Sequence, residues 1–206
     1  MTISIVAGNW KMNTTVEEAK RLATSIKSRL ENIDGVESVI CPPFVSLASV
    51  SQILRDSRVM LGAQNMWHRE TGAYTGEISP VMIADLCQFV ILGHSERRQF
   101  FGETDKAINS KIESAIRIGL RPILCVGEGL REREQGRAKS VVEDQLRACL
   151  DAVGKHEVLA VAYEPIWAIG TGNAATPDVA QDMMSHVRAV IASLYGEKAA
   201  SSVPLL

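Results

Sequence analysis

The chain has no excess of either charge. Its 206 residues hold 22 Lys and Arg against 24 Asp and Glu, a formal charge of -2. No overall field therefore gathers nucleic acid or a membrane surface, and any anionic ligand must be held by local groups. Paired cysteines are also missing. Cys41, Cys87, Cys125 and Cys149 lie far apart, without the C-x-x-C unit of a zinc or redox site. Reduced thiols in a cytoplasmic protein are the expectation. His68, His94, His156 and His186 show no ligand spacing, so no metal is expected. No apolar run approaches a transmembrane span. The segment Thr2–Ala7 lacks the basic flank and apolar length of a signal peptide. After the first apolar run comes Gly8-Asn9-Trp10-Lys11-Met12-Asn13, with one glycine where G-x-G-x-x-G would cradle a dinucleotide. A nucleotide cofactor is not expected.

What is present is an ordinary globular composition, 46% hydrophobic and 22% charged. It is sufficient for one domain over residues 1–206 with a real core. Short β-branched apolar runs fall near 3–8, 36–41, 58–63, 89–92, 121–126 and 158–163. Between them, helical spacing recurs near 16–31, 45–55, 79–87, 105–118, 138–153 and 177–195. In the first of these Val16, Ala19, Leu22, Ala23, Ile26 and Leu30 make one apolar face, with Glu17, Lys20, Lys27 and Arg29 opposite. Thr176-Pro177-Asp178 marks the start of the last, a hydroxyl cap followed by Pro at the first helical position. Such alternation predicts α/β architecture, with parallel strands joined by helical crossovers in an open doubly wound sheet or a closed barrel. The missing glycine fingerprint favours the barrel.

In a barrel, reactive groups gather from the carboxyl ends of several strands. Strand one ends in Asn9 and Lys11, strand four in Gly93-His94-Ser95-Glu96-Arg97, and strand six in Glu164. Singly, each has a plain structural explanation: a solvated lysine, a backbone-bonded histidine, a helix-opening charge pair. Together they are a carboxylate, an imidazole and an ammonium on one rim, the parts needed to move a proton beside a carbonyl. Glu164 would take the proton, His94 would polarise the oxygen, and Lys11 would stabilise the developing charge. Glu164 is followed by Pro165-Ile166-Trp167-Ala168-Ile169-Gly170-Thr171-Gly172, an apolar loop framed by Pro and Gly that reads as a lid.

Six strings resemble the triosephosphate isomerase family: Asn9-Trp10-Lys11-Met12-Asn13, Gly62-Ala63-Gln64-Asn65, Thr71-Gly72-Ala73-Tyr74-Thr75-Gly76-Glu77, Gly93-His94-Ser95-Glu96-Arg97-Arg98, Cys125-Val126-Gly127-Glu128 and Ala162-Tyr163-Glu164-Pro165-Ile166-Trp167 with the loop that follows. The resemblance implies a (β/α)8 barrel. It also implies interconversion of dihydroxyacetone phosphate and glyceraldehyde 3-phosphate through an enediolate, a step of glycolysis and gluconeogenesis. Glu164, His94 and Lys11 would be catalytic, with His94 neutral, and Asn9, Lys11 and Gly170 would hold the substrate. Ser95, Glu96 and Cys125 would support them, although Cys125 also reads as a plain core thiol. The 64–78 connection would dock into a twin subunit with Thr75 at its tip. Met66, Trp67 and Tyr74 would supply apolar contact in that homodimer.

The chain departs from the pattern near Val203-Pro204-Leu205-Leu206, which falls where a seventh strand should begin. A barrel of this type runs to about 250 residues. The Tyr-Gly-Gly-Ser turn and later Gly-Gly segment that the family uses for phosphate do not occur. The expectation is an incomplete barrel of six βα units. Two alternatives stand beside the isomerase: a non-catalytic remnant serving as an interaction module, and a metal-dependent aldolase using His94 and Glu164.

Overall fold

The computed structural model describes residues 4–154, 160–172 and 174–206. Ile3, His156, Val158 and Leu159 lie outside them, and with these the edges of two expected strands and one histidine. The described strands are β1 (Ser4–Asn9), β2 (Val36–Cys41), β3 (Met60–Ala63), β4 (Phe89–Leu92), β5 (Arg121–Val126) and β6 (Ala160–Tyr163). They lie parallel in one sheet in the order of the sequence. The result is a curled part of a TIM barrel, with helices between the strands. A seventh strand begins beside β6, where Val161 N–H donates to Pro204 O at 3.0 Å and Leu206 N–H to Val161 O at 2.9 Å.

The crossover helices are α1 (Val16–Leu30), α2 (Leu47–Leu54, after a short 3-10 turn), α3 (Pro80–Ala84), α4 (Ser95–Phe101), α5 (Asp105–Arg117), α6 (Leu130–Glu134), α7 (Ala138–Cys149), α8 (Pro177–Tyr195) and α9 (Glu197–Ala200). Local chemistry sets several starts. Thr15 and Glu18 form a reciprocal capping box on α1, and Thr176 accepts from Val179 N–H ahead of Pro177 on α8. The stretch expected to be helical over 79–87 is shorter, because Ser79 caps it and it stops at Ala84. The helix expected over 138–153 ends at Cys149. Helices α4 and α6 are too short to show a period.

Alternation along each strand sorts side chains into two cores. Val90, Leu92, Leu124, Val126 and Val161 face outward and pack with the helices. Val39, Cys41, Phe89, Ile91, Ile123, Cys125 and Ala160 face inward. At the amino ends of the strands Glu37 of β2 meets Arg121 of β5 across the interior, at 2.7 and 2.9 Å. The Arg121 guanidinium also lies 4.3 Å from the centre of the Phe89 ring. Among the described residues no helix is long and apolar enough to cross a membrane.

Gly62 has no room for a side chain, since a Cβ there would sit 2.6 Å from Cys41 Sγ and 3.3 Å from Phe89 Cβ. Gly62→Ala is expected to lower stability by about 1–3 kcal/mol in denaturant titration. Adding Cys41→Ala should recover part of the loss, and additive effects of the two substitutions would contradict the contact.

Candidate active site

Strand parity carries the polar residues to the mouth. Inward positions run Ile5, Ala7 and then Asn9 on β1, and Ala160, Ala162 and then Glu164 past β6. His94 has the opposite parity to Phe89 and Ile91. Gly93, with φ +75°, takes the left-handed turn that brings the imidazole round to the mouth. A cavity of about 310 Å³ results, with Asn9, Lys11, His94 and Glu164 on the rim and Ile91 and Ile123 among its apolar walls.

The reacting candidates form one connected chain. His94 Nε2 lies 2.9 Å from Glu164 Oε1, and Ser95 N–H donates to Glu164 Oε2 at 2.9 Å. Glu96 N–H donates to His94 Nδ1 at 3.2 Å. That bond assigns the ring proton to Nε2, from which it is donated to Glu164. Lys11 Nζ stands 2.6 Å from Glu96 Oε1. Burial pushes the Glu164 carboxyl up, but the hydrogen bonds from His94 and from Ser95 outweigh it, and the net direction is down. Cys125, 3% exposed, lines the same cavity. Burial, with the Glu164 carboxylate next, holds its thiol well above the ordinary range. It is not a nucleophile in this setting.

Lys11 adopts φ +53°, an uncommon conformation for a residue with a side chain. Two bonds hold it there, Lys11 N–H to Asn9 Oδ1 at 3.0 Å and Gln64 Nε2 to Lys11 O at 2.9 Å. Backbone strain so braced is typical of functional turns.

Residues 165–172 form a run of tight turns after Glu164. Trp167 Nε1 donates to Glu128 Oε1 at 2.9 Å, and the Arg133 guanidinium stacks 4.4 Å from the Trp167 ring. Glu128 is fully buried and also accepts from Tyr163 OH at 3.0 Å and Arg133 Nη1 at 3.3 Å. Burial and then the Glu128 charge raise the Tyr163 phenol, so it remains a donor.

The structure thus gathers Asn9, Lys11, His94, Ser95, Glu96, Cys125 and Glu164 at one mouth. It does not gather Gly170, which is exposed at φ +71° on the loop, or Thr75, which is exposed on the 64–78 connection of its own chain. One expectation is corrected. Met66 cannot supply an interface contact, because its side chain is 0% exposed within its own core. Trp67 is half-buried, against His68, Tyr74 and Lys111. Sequence reasoning assigned no role to Gln64, Arg98, Glu128 or Gln145. The signal for Glu128 is the one that marks Glu164, a carboxylate just beyond a doubly buried strand.

With this geometry in view, comparison with known proteins is decisive. The family model described as triosephosphate isomerase matches residues 4–206. The chain belongs to the triosephosphate isomerase family. A triosephosphate isomerase of Dehalococcoides mccartyi strain CBDB1 is 52% identical over 202 residues, covering 98% of this chain and 79% of the relative. One of Chloroflexus aurantiacus is 48% identical over 206 residues, with 98% and 82% covered. One of Clostridium botulinum strain Loch Maree is 46% identical over 206 residues, with 98% and 83% covered. The protein is an isomerase, and the non-catalytic alternative is not favoured.

Because the Glu164 carboxyl is held below its ordinary value of 4.5, the base stays ionised to lower pH. Corrected for substrate phosphate ionisation, the acid limb of kcat/KM should lie below pH 4.5. The same shift contributes stability that is present above 4.5 and lost as pH falls through the lowered value. An enzyme-derived acid limb above pH 4.5 would contradict the assignment.

Proposed function

We propose that the protein interconverts dihydroxyacetone phosphate and glyceraldehyde 3-phosphate, with Glu164 as the base. The single observation that supports this best is the Glu164 carboxylate 2.9 Å from His94 Nε2 at the wall of the cavity. In the resting arrangement both donors, His94 and Ser95, are spent on the base itself. A substrate carbonyl entering the cavity takes over the His94 N–H, and Glu164 is freed to swing toward carbon. Glu164 removes a proton from the carbon beside the carbonyl, leaving an enediolate whose negative charge falls between His94 and Lys11. The proton then returns to the neighbouring carbon. Nothing is oxidised or reduced overall, so the route calls on no redox cofactor.

Glu96 sets Lys11 toward the rim, and Asn9 holds the Lys11 backbone in its left-handed turn. The 165–172 loop serves as lid, with Ile169 already on the cavity wall and Gly170 free to offer its N–H to phosphate. Closure excludes water, which protects the enediolate phosphate from expelling its phosphate group.

The active form in this reading is a cytoplasmic homodimer of glycolysis. Beside Lys11 and His94 a groove of about 380 Å³ opens between Met12, Phe44 and Phe101. Met12 is 97% exposed and Phe101 69%, unusual for apolar side chains in a lone subunit. The occupant that suits the groove is the 64–78 loop of a second copy, tipped by Thr75. The buried free thiols Cys41, Cys87, Cys125 and Cys149 accord with a reducing compartment.

Glu164→Gln is expected to cut kcat by about 10²- to 10⁴-fold with the melting temperature little changed. Near-parental turnover in a coupled isomerase assay would remove Glu164 as the base. Sedimentation at micromolar concentration should give the mass of two chains, and a fully active monomer would dismiss the docking of the 64–78 loop.

A further inference from the structure

Gln145 lies on α7, on the far side of the sheet from the cavity, yet it holds the backbone on which the site is built. The β5–β6 ladder ends at Val126 and Tyr163. Beyond it the Gly127 N–H and carbonyl have no strand to pair with among the described residues. The Gln145 carboxamide takes both, accepting from Gly127 N–H at 2.9 Å and donating to Gly127 O at 3.0 Å. The side chain thereby acts as a one-residue extension of the sheet.

Two functional groups hang on that peptide. Glu164 N–H donates to Val126 O at 2.8 Å. Its backbone then runs so close to Gly127 that a methyl group there would collide with the Glu164 carbonyl. The plane of the Gly127 peptide therefore sets where the Glu164 backbone lies. Next in sequence is Glu128, whose buried carboxylate holds Trp167 of the 165–172 loop. A rotation at Gly127 displaces the base and the loop anchor together.

We propose that Gln145 is a positioning residue for the isomerisation, acting only through the Gly127 peptide to align Glu164 and to seat Trp167 on Glu128. Gln145 does not line the cavity, so it touches no reacting atom. The inference rests on the reading of Glu164 as base and of 165–172 as lid.

Gln145→Leu preserves bulk but removes both bonds. Its kcat on triose phosphate is expected to fall ~10- to 100-fold, with KM little changed. Inorganic phosphate released per isomerisation should rise, because a poorly seated lid admits water. Val142→Ala is the control, a truncation of a fully buried residue on the same helix. It should lower the melting temperature and leave kcat and the phosphate ratio unchanged. If Gln145→Leu lowers the melting temperature alone, the role is structural and the proposal is overturned. Should that variant not fold, Gln145→Glu keeps the shape and one bond while setting an oxygen against Gly127 O. An intermediate loss of kcat in it supports the proposal, and parental kinetics overturn it. Glu164→Gln assayed in parallel separates the two readings. If it is inactive while Gln145→Leu is normal, only the Gln145 role falls. If it is active, the base assignment falls and the alignment argument with it.

Discussion

An ionised carboxylate withdrawn from water needs donors aimed at it, and the site is arranged around that requirement. The Glu164 side chain is 16% exposed and has two donors at 2.9 Å, His94 Nε2 and Ser95 N–H. Both come from one turn at the end of β4, whereas Glu164 follows β6. The mutual placement of the two strand ends is therefore what keeps the base charged. Arg98 donates to Gly93 O at 2.7 Å and to Cys125 O at 3.3 Å, and so ties the ends of β4 and of the intervening β5 together. Without the His94 and Ser95 donors burial would raise the carboxyl and favour its neutral form.

The two cores divide the work. Large aliphatic side chains such as Leu92, Leu124 and Ile112 fill the layer between sheet and helices and supply most of the apolar burial. The inner layer toward the mouth uses smaller side chains, Ala7, Cys125 and Ala162, and a cavity remains above them. A small ligand can enter there without disturbing the helix layer.

Most of the fold was legible because parallel strands buried on both faces leave continuous apolar runs. The expected ranges for β2, β4 and β5 coincide with the observed ones, and β3 is two residues shorter at its start. Asn9 and Glu164 were readable at the mouth because each closes an apolar run at the carboxyl end of a strand. His94 breaks the period of two, since the turn at Gly93 resets it, and only its place after a strand marked it. The opening of α4 at Ser95-Glu96 was legible, but its extent and the whole of α6 were not, because one or two turns carry too little periodicity. Met66 was misjudged because its polar neighbours suggest a surface loop, while its side chain turns back beneath the sheet-helix core. Gln145 left no local trace at all. It is a polar residue on an amphipathic helix, and its bonds to Gly127 span 18 residues of sequence.

At the opposite mouth the Glu37–Arg121 bridge, laid over the Phe89 ring, joins β2 to β5 through the interior. It contributes to keeping the curvature of the sheet without touching any residue of the upper rim. The barrel thus has a floor and a roof that are chemically independent. Loops above the floor are free to be rewritten for another substrate while the spacing of the strands beneath them is kept.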